Sequence, residues 1–310
     1  MASLKKTRVI FQLPNVGSWF ENIAVRSTGT ILATRVDVPE LWEINPATGT
    51  GTAIATFPPP ISTVTGITEL TPEVFALGVG QYNLGTGTVP GSYSIWTLDL
   101  SSSSADGTYH PKLVTQIPEA GLINGLTTGD AGKGIVLAAD SEFFALYKID
   151  IPSGSYTKTL ADETMTVPPG APIQLGINGV KIRNGYLYFT NSMRETFYRV
   201  PVGEDFKATG AVEAVATGFP QDDFVFGADG TAYVATHGAN TVVKVAAGSK
   251  EGIAIAGNFE SLEVAGCTAC AFGRRKEDGK VLYVATAGAL SMPVKGELTE
   301  PAKVVAVDLE

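Results

Sequence analysis

Three stretches of this 310-residue chain share one grammar. ENIAVRSTGTILATRVDVPELWEINPATG (21–49), NGVKIRNGYLYFTNSMRETFYRVPVG (178–203) and DDFVFGADGTAYVATHGANTVVKVAAG (222–248) each begin with a polar residue. Each then gives a short strand, a turn containing glycine, a stronger strand, a loop and a third strand. A further β-rich segment recurs five times along the chain: AIATF (53–57), KLVTQI (112–117), YTKTL (156–160), VEAVAT (212–217) and GIAIAG (252–257). The polar openers are Glu21, Thr65, Asn124, Asn178, Asp222 and a last one at Thr268–Cys270. They recur at intervals of roughly 40 to 60 residues, the spacing of four-stranded propeller blades. Six openers face only five internal fourth strands. TRVIFQLP (7–14) has no blade of its own, so it is expected to supply the missing strand and close the last blade, which removes two exposed sheet edges. The expected fold class is all-β: a six-bladed β-propeller with four-stranded blades, one domain over 1–310, strand 7–14 closing the ring.

Composition agrees and excludes several function classes. Thirty-five glycines and 18 prolines supply turns for many short strands. The net charge is −9 and the pI about 4.9, which argues against nucleic acid or an anionic membrane as partner, because binding phosphates needs a basic face. No apolar run approaches the roughly 18 residues of a membrane-spanning helix. MASLKKTRVIFQLP lacks the apolar core of a signal peptide, so a cytoplasmic location is expected unless a leader has been removed. His110 and His237 are the two histidines, and Cys267 and Cys270 the two cysteines. This set is too sparse for a His-Glu-x-x-His zinc protease or a structural zinc site. Cys267-x-x-Cys270 has no βαβ context, so a structural role is expected, either as a disulfide or as a reduced pair. No Gly-x-Ser-x-Gly nucleophile elbow and no Walker loop occur.

In a propeller the first strand of every blade lines the axial channel, so the openers converge at one mouth. The loops between second and third strands rise on the same face. Two are long, QYNLGTGTVPGS (81–92) and AGALSMPVKGELTE (287–300), as lids are. Glu21, Asn124, Asn178 and Asp222 are therefore the candidate catalytic residues. Two carboxylates with two amide oxygens suit a hard divalent cation, Ca²⁺ or Mg²⁺. Without a cation, crowding of the two carboxylates raises one pKa and makes that group a general acid or base near neutral pH. Trp19, Tyr82, Phe144, Met193 and His237 are the candidate substrate-binding residues, with Phe20, Phe143 and Met292 as further apolar surface. Each aromatic could instead pack blade against blade, and His237 could be a solvated loop residue.

With its blade repeats and VGSWFENIAV (16–25), the chain resembles the gluconolactonase/senescence-marker (regucalcin-like) superfamily of six-bladed propellers, and within it a fungal secondary-metabolite branch that includes hetero-Diels–Alderases. In family lactonases the resemblance implies one divalent cation held by Glu21, Asn178 and Asp222, with Asn124 on the substrate side. Three positions depart from the family pattern: Asp223 follows Asp222 in place of glycine, Gly125 replaces an acidic residue, and Asn191 replaces the aspartate closing the second strand of the middle blade. The departures bear on lactonase chemistry rather than on fold.

The expected function is a natural-product cyclase that performs a hetero-Diels–Alder or related cyclisation of a reactive polyketide or terpenoid intermediate. Such a reaction needs an apolar pocket and hydrogen-bonding or acid groups rather than a nucleophile, and the fungal-branch resemblance implies it. No cofactor is required for it. The partner is a small polycyclic or polyene molecule, and the protein is a monomer or homodimer. The alternatives are a divalent-metal-dependent lactonase and a non-enzymatic propeller that binds a small molecule or a protein.

Overall fold

The computed structural model describes residues 4–101 and 108–309, so the first three residues, part of the leader reading, lie outside it. Twenty-six strands dominate; among the described residues there is no α-helix, only two single 3-10 turns, Glu163–Met165 and His237–Ala239. The chain enters through β1 (Thr7–Gln12). Blade one is β2 (Phe20–Val25), β3 (Ile31–Arg35), β4 (Glu40–Asn45) and β5 (Thr50–Thr56). Blade two is β6 (Thr63–Thr71), β7 (Val74–Gly80), β10 (Ser94–Asp99) and β11 (Lys112–Gln116). Between its second and third strands, β8 (Tyr82–Asn83) and β9 (Gly87–Thr88) pair as a small hairpin inside the long 81–92 segment. Blade three is β12 (Ile123–Asp130), β13 (Ile135–Asp140), β14 (Ala145–Asp150) and β15 (Tyr156–Leu160). Blade four is β16 (Ile177–Arg183), β17 (Tyr186–Asn191), β18 (Thr196–Pro201) and β19 (Glu213–Thr217). Blade five is β20 (Phe224–Phe226), β21 (Ala232–Thr236), β22 (Thr241–Val245) and β23 (Gly252–Gly257). Blade six is β24 (Cys267–Phe272), β25 (Val281–Thr286) and β26 (Lys303–Asp308), completed by β1. β1 runs antiparallel to β26, with Thr7 opposite Val307 and Gln12 opposite Lys303, as the unassigned N-terminal segment predicted.

The core is distributed as wedges between neighbouring blades. Leu32 and Leu41 meet Val64 and Leu77 between blades one and two. Ile95 and Ile117 meet Val136 and Ile149 between two and three, and Leu137 and Leu146 meet Leu187 and Phe189 between three and four. Phe197 meets Phe224 and Val234 between four and five. Val242 and Ile255 meet Cys267, Cys270 and Val284 between five and six, and Ile10 and Tyr283 meet Phe20 and Ile31 at the closure. Each sheet thus buries both faces, which is why its inner strands read as nearly continuous apolar runs.

A belt of hydrogen bonds ties the wedges together nearest the axis. Thr34 Oγ1 donates to Thr65 O (2.6 Å), Thr65 Oγ1 to Ile123 O (2.6 Å), and Ser141 Oγ to Ile177 O (2.5 Å). Thr190 Oγ1 donates to Asp222 O (2.5 Å), Asp223 N to Thr268 O (2.9 Å), and Thr268 Oγ1 to Phe20 O (2.9 Å). Every blade junction is covered. Each bond contributes about 1 kcal/mol net, and losing one would leave a buried carbonyl unpaired.

Both cysteines are free and buried in the wedge between blades five and six. Cys267 Sγ donates to Thr241 O at 3.0 Å and accepts from Thr236 N at 3.3 Å. The pair is reduced, one of the two states the sequence left open.

Candidate active site at the channel mouth

A repeated irregularity aims the openers. In blade one the register jumps from Phe20↔Arg35 to Ile23↔Ala33, leaving Glu21 and Asn22 outside regular pairing. The same break falls between Val64 and Ile67, Ile123 and Leu126, Ile177 and Val180, and Cys267 and Ala269. Each is a β-bulge, which inserts one extra residue and redirects side chains. Blade five reaches the same result just before β20, where Asp222 N bonds Ala235 O and Ala235 N bonds Asp223 O.

The glycines after two openers have a packing role. A Cβ on Gly125 would lie 2.4 Å from Asn178 O, and one on Gly179 would lie 2.4 Å from Asp223 Oδ1. The Asn-Gly pairs at 124–125 and 178–179 therefore exist because neighbouring blades approach there. In blade five the corresponding position is Asp223, whose carboxylate crosses the channel. Asn22 Nδ2 donates to Asp223 Oδ2 (2.9 Å), while Lys181 Nζ and Phe224 N donate to Oδ1 at 2.8 and 2.7 Å. Asp223 thus links blades one, four and five.

Above this link lies the cluster expected from sequence. Trp19 Nε1 donates to Glu21 Oε2 at 2.7 Å. Burial pushes the Glu21 carboxyl up to about 7; the Trp19 bond opposes this and the Asp223 charge adds to it. Asp222 is raised well above the carboxylate range, first by burial and then by the Glu21 and Asp223 charges, while the neighbouring Asn178 amide partly offsets the rise. Asn178 Nδ2 donates to Ser192 Oγ at 3.0 Å, and its Oδ1 is buried with no protein partner. His237 stacks on Trp19, ring centroids 5.1 Å apart, with Nδ1 3.6 Å from Asp222 Oδ2 and Nε2 2.6 Å from Ser291 Oγ. Burial lowers His237 to about 4, so it is neutral at physiological pH. Asp37 positions Trp19 by accepting from its backbone N–H and from Arg35 Nε, both at 3.0 Å.

Glu21, Asn178, Asp222, Trp19 and His237 therefore stand together. Asn124 is buried at the equivalent bulge of blade three. Tyr82 is half-buried on β8, near enough for the Glu21 charge, after burial, to raise its phenol. Met193 is half-buried in the blade-four loop. Phe144 packs against Gly176 and the wedge between blades three and four. Thr65 spends its hydroxyl on the belt. Asn191 ties the blade-four loop down: its Nδ2 donates to Thr164 O and Thr166 O, both at 2.8 Å. Sequence reasoning did not assign roles to Asn22, Lys181, Asp223 and Gln221. The signal for the first and third was their place directly after an opener. Gln221 is 2% exposed with neither amide atom paired. A groove of about 550 Å³ opens at the opposite end between blades four and five, lined by Arg183, Tyr188 and Phe226 among others; it shares no residue with the mouth.

The six-sheet ring has a clear structural counterpart. Regucalcin from Agrobacterium tumefaciens, described as a calcium-binding protein, matches with a TM-score of 0.68 at 17% identity, over 99% of this chain and 95% of that one. The chain shares the six-bladed propeller fold with that protein. A gluconolactonase from Xanthomonas campestris matches with a TM-score of 0.63 at 12% identity, over 98% and 89% of the two chains. In sequence, the chain is similar to a Phoma protein provisionally named hetero-Diels-Alderase, 26% identical over 92% of this chain and 88% of that protein. A Sarocladium schorii protein with the same provisional name is 24% identical over 90% and 77%. No family model matches the chain. Among the described residues no helix is long and apolar enough to cross a membrane.

Proposed function

We propose that the mouth is the active site of a cyclase that generates a reactive diene by loss of water and holds it against an alkene partner. The observation that carries this reading is Glu21: a buried carboxyl, held by an indole N–H and raised to about 7, is protonated in a large fraction of molecules at neutral pH. Such a group is a general acid. On an ortho-hydroxybenzyl alcohol, Glu21 gives its proton to the departing hydroxyl. The C–O bond breaks, and its electron pair leaves on water. The ring hydroxyl proton returns to the Glu21 carboxylate so formed, and the product is an ortho-quinone methide. That species needs no nucleophile to cyclise, only a partner in near-attack geometry. Trp19, Tyr82 and Met193 provide apolar surface for it. The names of the Phoma and Sarocladium relatives support the same reading.

The test supplies 2-hydroxybenzyl alcohol and a cyclic polyene in excess EDTA. Cyclised product should form faster than in buffer and with a different stereochemical ratio. Unchanged rate and ratio would falsify the proposal.

A second reading is favoured by the unpaired Asn178 Oδ1, an acceptor beside two crowded carboxyls. Glu21, Asn178 and Asp222 form a hard-donor set that fits Ca²⁺ or Mg²⁺, and a cation there would polarise a lactone carbonyl. In that protein Asp222 and Glu21 would be ionised, and Trp19 would orient Glu21. Calorimetric titration with Ca²⁺ and Mg²⁺ checks it; no heat of binding with either ion removes the lactonase.

A further inference from the structure

Two loops at the mouth bring a hydroxyl, an imidazole and a carboxyl into line. His237 opens the single 3-10 turn that follows β21, and Ser291 stands in the long 287–300 loop that follows β25. Although 54 positions separate them in the chain, His237 Nε2 and Ser291 Oγ lie 2.6 Å apart. On the other side of the ring, Nδ1 faces Asp222 Oδ2 at 3.6 Å and has no hydrogen-bond partner among the described residues. A nucleophile thus rests on a base, and the base stands beside a third group that can orient it. Base–orienter contacts of this kind tighten when substrate closes the site. The constellation is recognised by geometry and roles, so it does not need a Gly-x-Ser-x-Gly segment.

The surroundings hold this arrangement in place. Glu300 N donates to Gly288 O at 3.0 Å and Ala289 N to Ala265 O at 3.2 Å, which closes the base of the loop that carries Ser291. Ala289 and Val294 then bury themselves against Ala265 in a small core of their own. Ala289 has φ 59°, a left-handed conformation uncommon for a residue with a Cβ, two positions before Ser291. Such strain persists where the surroundings over-determine it, and it gathers at functional sites. The imidazole is fixed by the Trp19 ring stacked on it, and its side chain is 18% exposed, whereas Ser291 is open to solvent. Asp222 selects the tautomer: Nδ1–H points to a carboxyl oxygen, and the Nε2 lone pair accepts from Ser291 Oγ. An ionised carboxylate and the carbonyl oxygen of a neutral carboxyl both serve as that acceptor.

We propose that Ser291 is a nucleophile with His237 as its general base, and that the mouth carries a second activity, cleavage of small apolar esters through an acyl-serine. Ser291 Oγ attacks the ester carbonyl carbon while its proton passes to His237 Nε2. The bond from that carbon to the alcohol oxygen breaks, and the departing oxygen keeps the electron pair and takes the proton from Nε2. Water then attacks the acyl group with His237 again as base; Oγ leaves and recovers its proton. The balance is ester plus water giving acid plus alcohol, with no oxidant, reductant or metal. Trp19 lies on one side of the imidazole, and Met292 Sδ lies 3.1 Å from where a Cβ on Gly238 would stand, so the walls are apolar. Asp222 and the nearby Glu21 carboxyl disfavour an anionic acyl group, which leaves short alkyl and aryl esters as the substrate class.

The test is covalent labelling with an alkyl fluorophosphonate in excess EDTA, followed by intact mass and peptide mapping. The reagent forms an Oγ–P bond as its P–F bond breaks; fluoride leaves and the hydroxyl proton goes to His237 Nε2. One label should appear per chain, on Ser291, at least about a hundredfold faster than on the guanidinium-unfolded protein, the low end of what a general base supplies. Ser291→Ala should abolish it. His237→Phe keeps a ring over Trp19 and should slow it about as much as unfolding does. Ser291 is in an exposed loop, and the native-to-unfolded ratio needs no substitution, so the test stays decisive where His237→Phe fails to fold. Absence of label, label on another residue, equal rates in the native and unfolded protein, or a rate that survives His237→Phe overturns the proposal. Absence of label identifies the opposite tautomer, with Nε2–H donating to Ser291 Oγ. Labelling reads no cyclisation and needs no cation, so its failure leaves the Glu21 chemistry standing, and failure of the cyclase assay leaves the acyl-serine standing.

Discussion

The indole N–H of Trp19 reaches Glu21 Oε2 at 2.7 Å while the same ring lies flat on His237, interplanar angle 20°. One side chain thus tunes the acid and covers the neutral imidazole beside Asp222. Trp19→Phe keeps a ring for the stack and removes the donor. The bond favours ionised Glu21, so its loss moves the Glu21 pKa above about 7. In a pH–rate profile of the cyclisation, the limb that falls at high pH should move further up.

Glu21→Gln tests the chemistry directly. Removing a general acid costs about 10²- to 10⁴-fold in rate. Stability should respond the other way. Folding raises the Glu21 pKa from 4.5 to about 7, so the native state holds a proton that the unfolded chain releases in that interval. The stability Glu21 contributes is complete below about 4.5 and lost as pH climbs through 7. Thermal melts should show the Gln variant gaining on the parent by a few degrees between those pH values. His237 acts oppositely: lowered to about 4 in the fold, its contribution is present above 6.5 and lost as pH falls through 4. It is common to both proteins and cancels in the comparison.

Gly125→Ala places a methyl 2.4 Å from Asn178 O, which belongs to the next blade's backbone and cannot swing aside. Such overpacking costs about 3 kcal/mol. Urea denaturation should show a lower midpoint with an unchanged slope; a midpoint equal to the parent's means the two blades separate more easily than their close approach implies.

Burial pushes the Cys267 thiol up to about 12 and raises Cys270 as well. Neither thiol should react with a thiol-specific reagent at pH 8 in the native protein. Both should react once guanidinium unfolds it without reductant. Failure to react after unfolding identifies a disulfide instead.

The blade pattern was legible because strand starts repeat with turn residues between them, and the belt and wedges need only that repeat. Glu21, Asn178 and Asp222 came out of the same pattern. The bulge did not, because a two-for-one register break has no periodic signature. It sends successive residues out of regular pairing, so the bond between Asn22 and Asp223 became visible only in the structure. Their bond ties strands 201 positions apart. Phe144 shows the converse: an aromatic in a mouth loop reads as pocket lining, yet its backbone lies at φ 57° and its ring packs toward Gly176.

Pairing β1 with β26 also bears on the order of events during synthesis. Thr7 waits for Val307, so the last sheet stays incomplete until the chain through Val307 has left the ribosome. Glu21 and Asp222 belong to early and late parts of the translation product, and no nascent fragment ending before residue 222 contains both. A clasp of such high contact order is slow to fasten. Until it does, the unfinished sheet exposes bare edges.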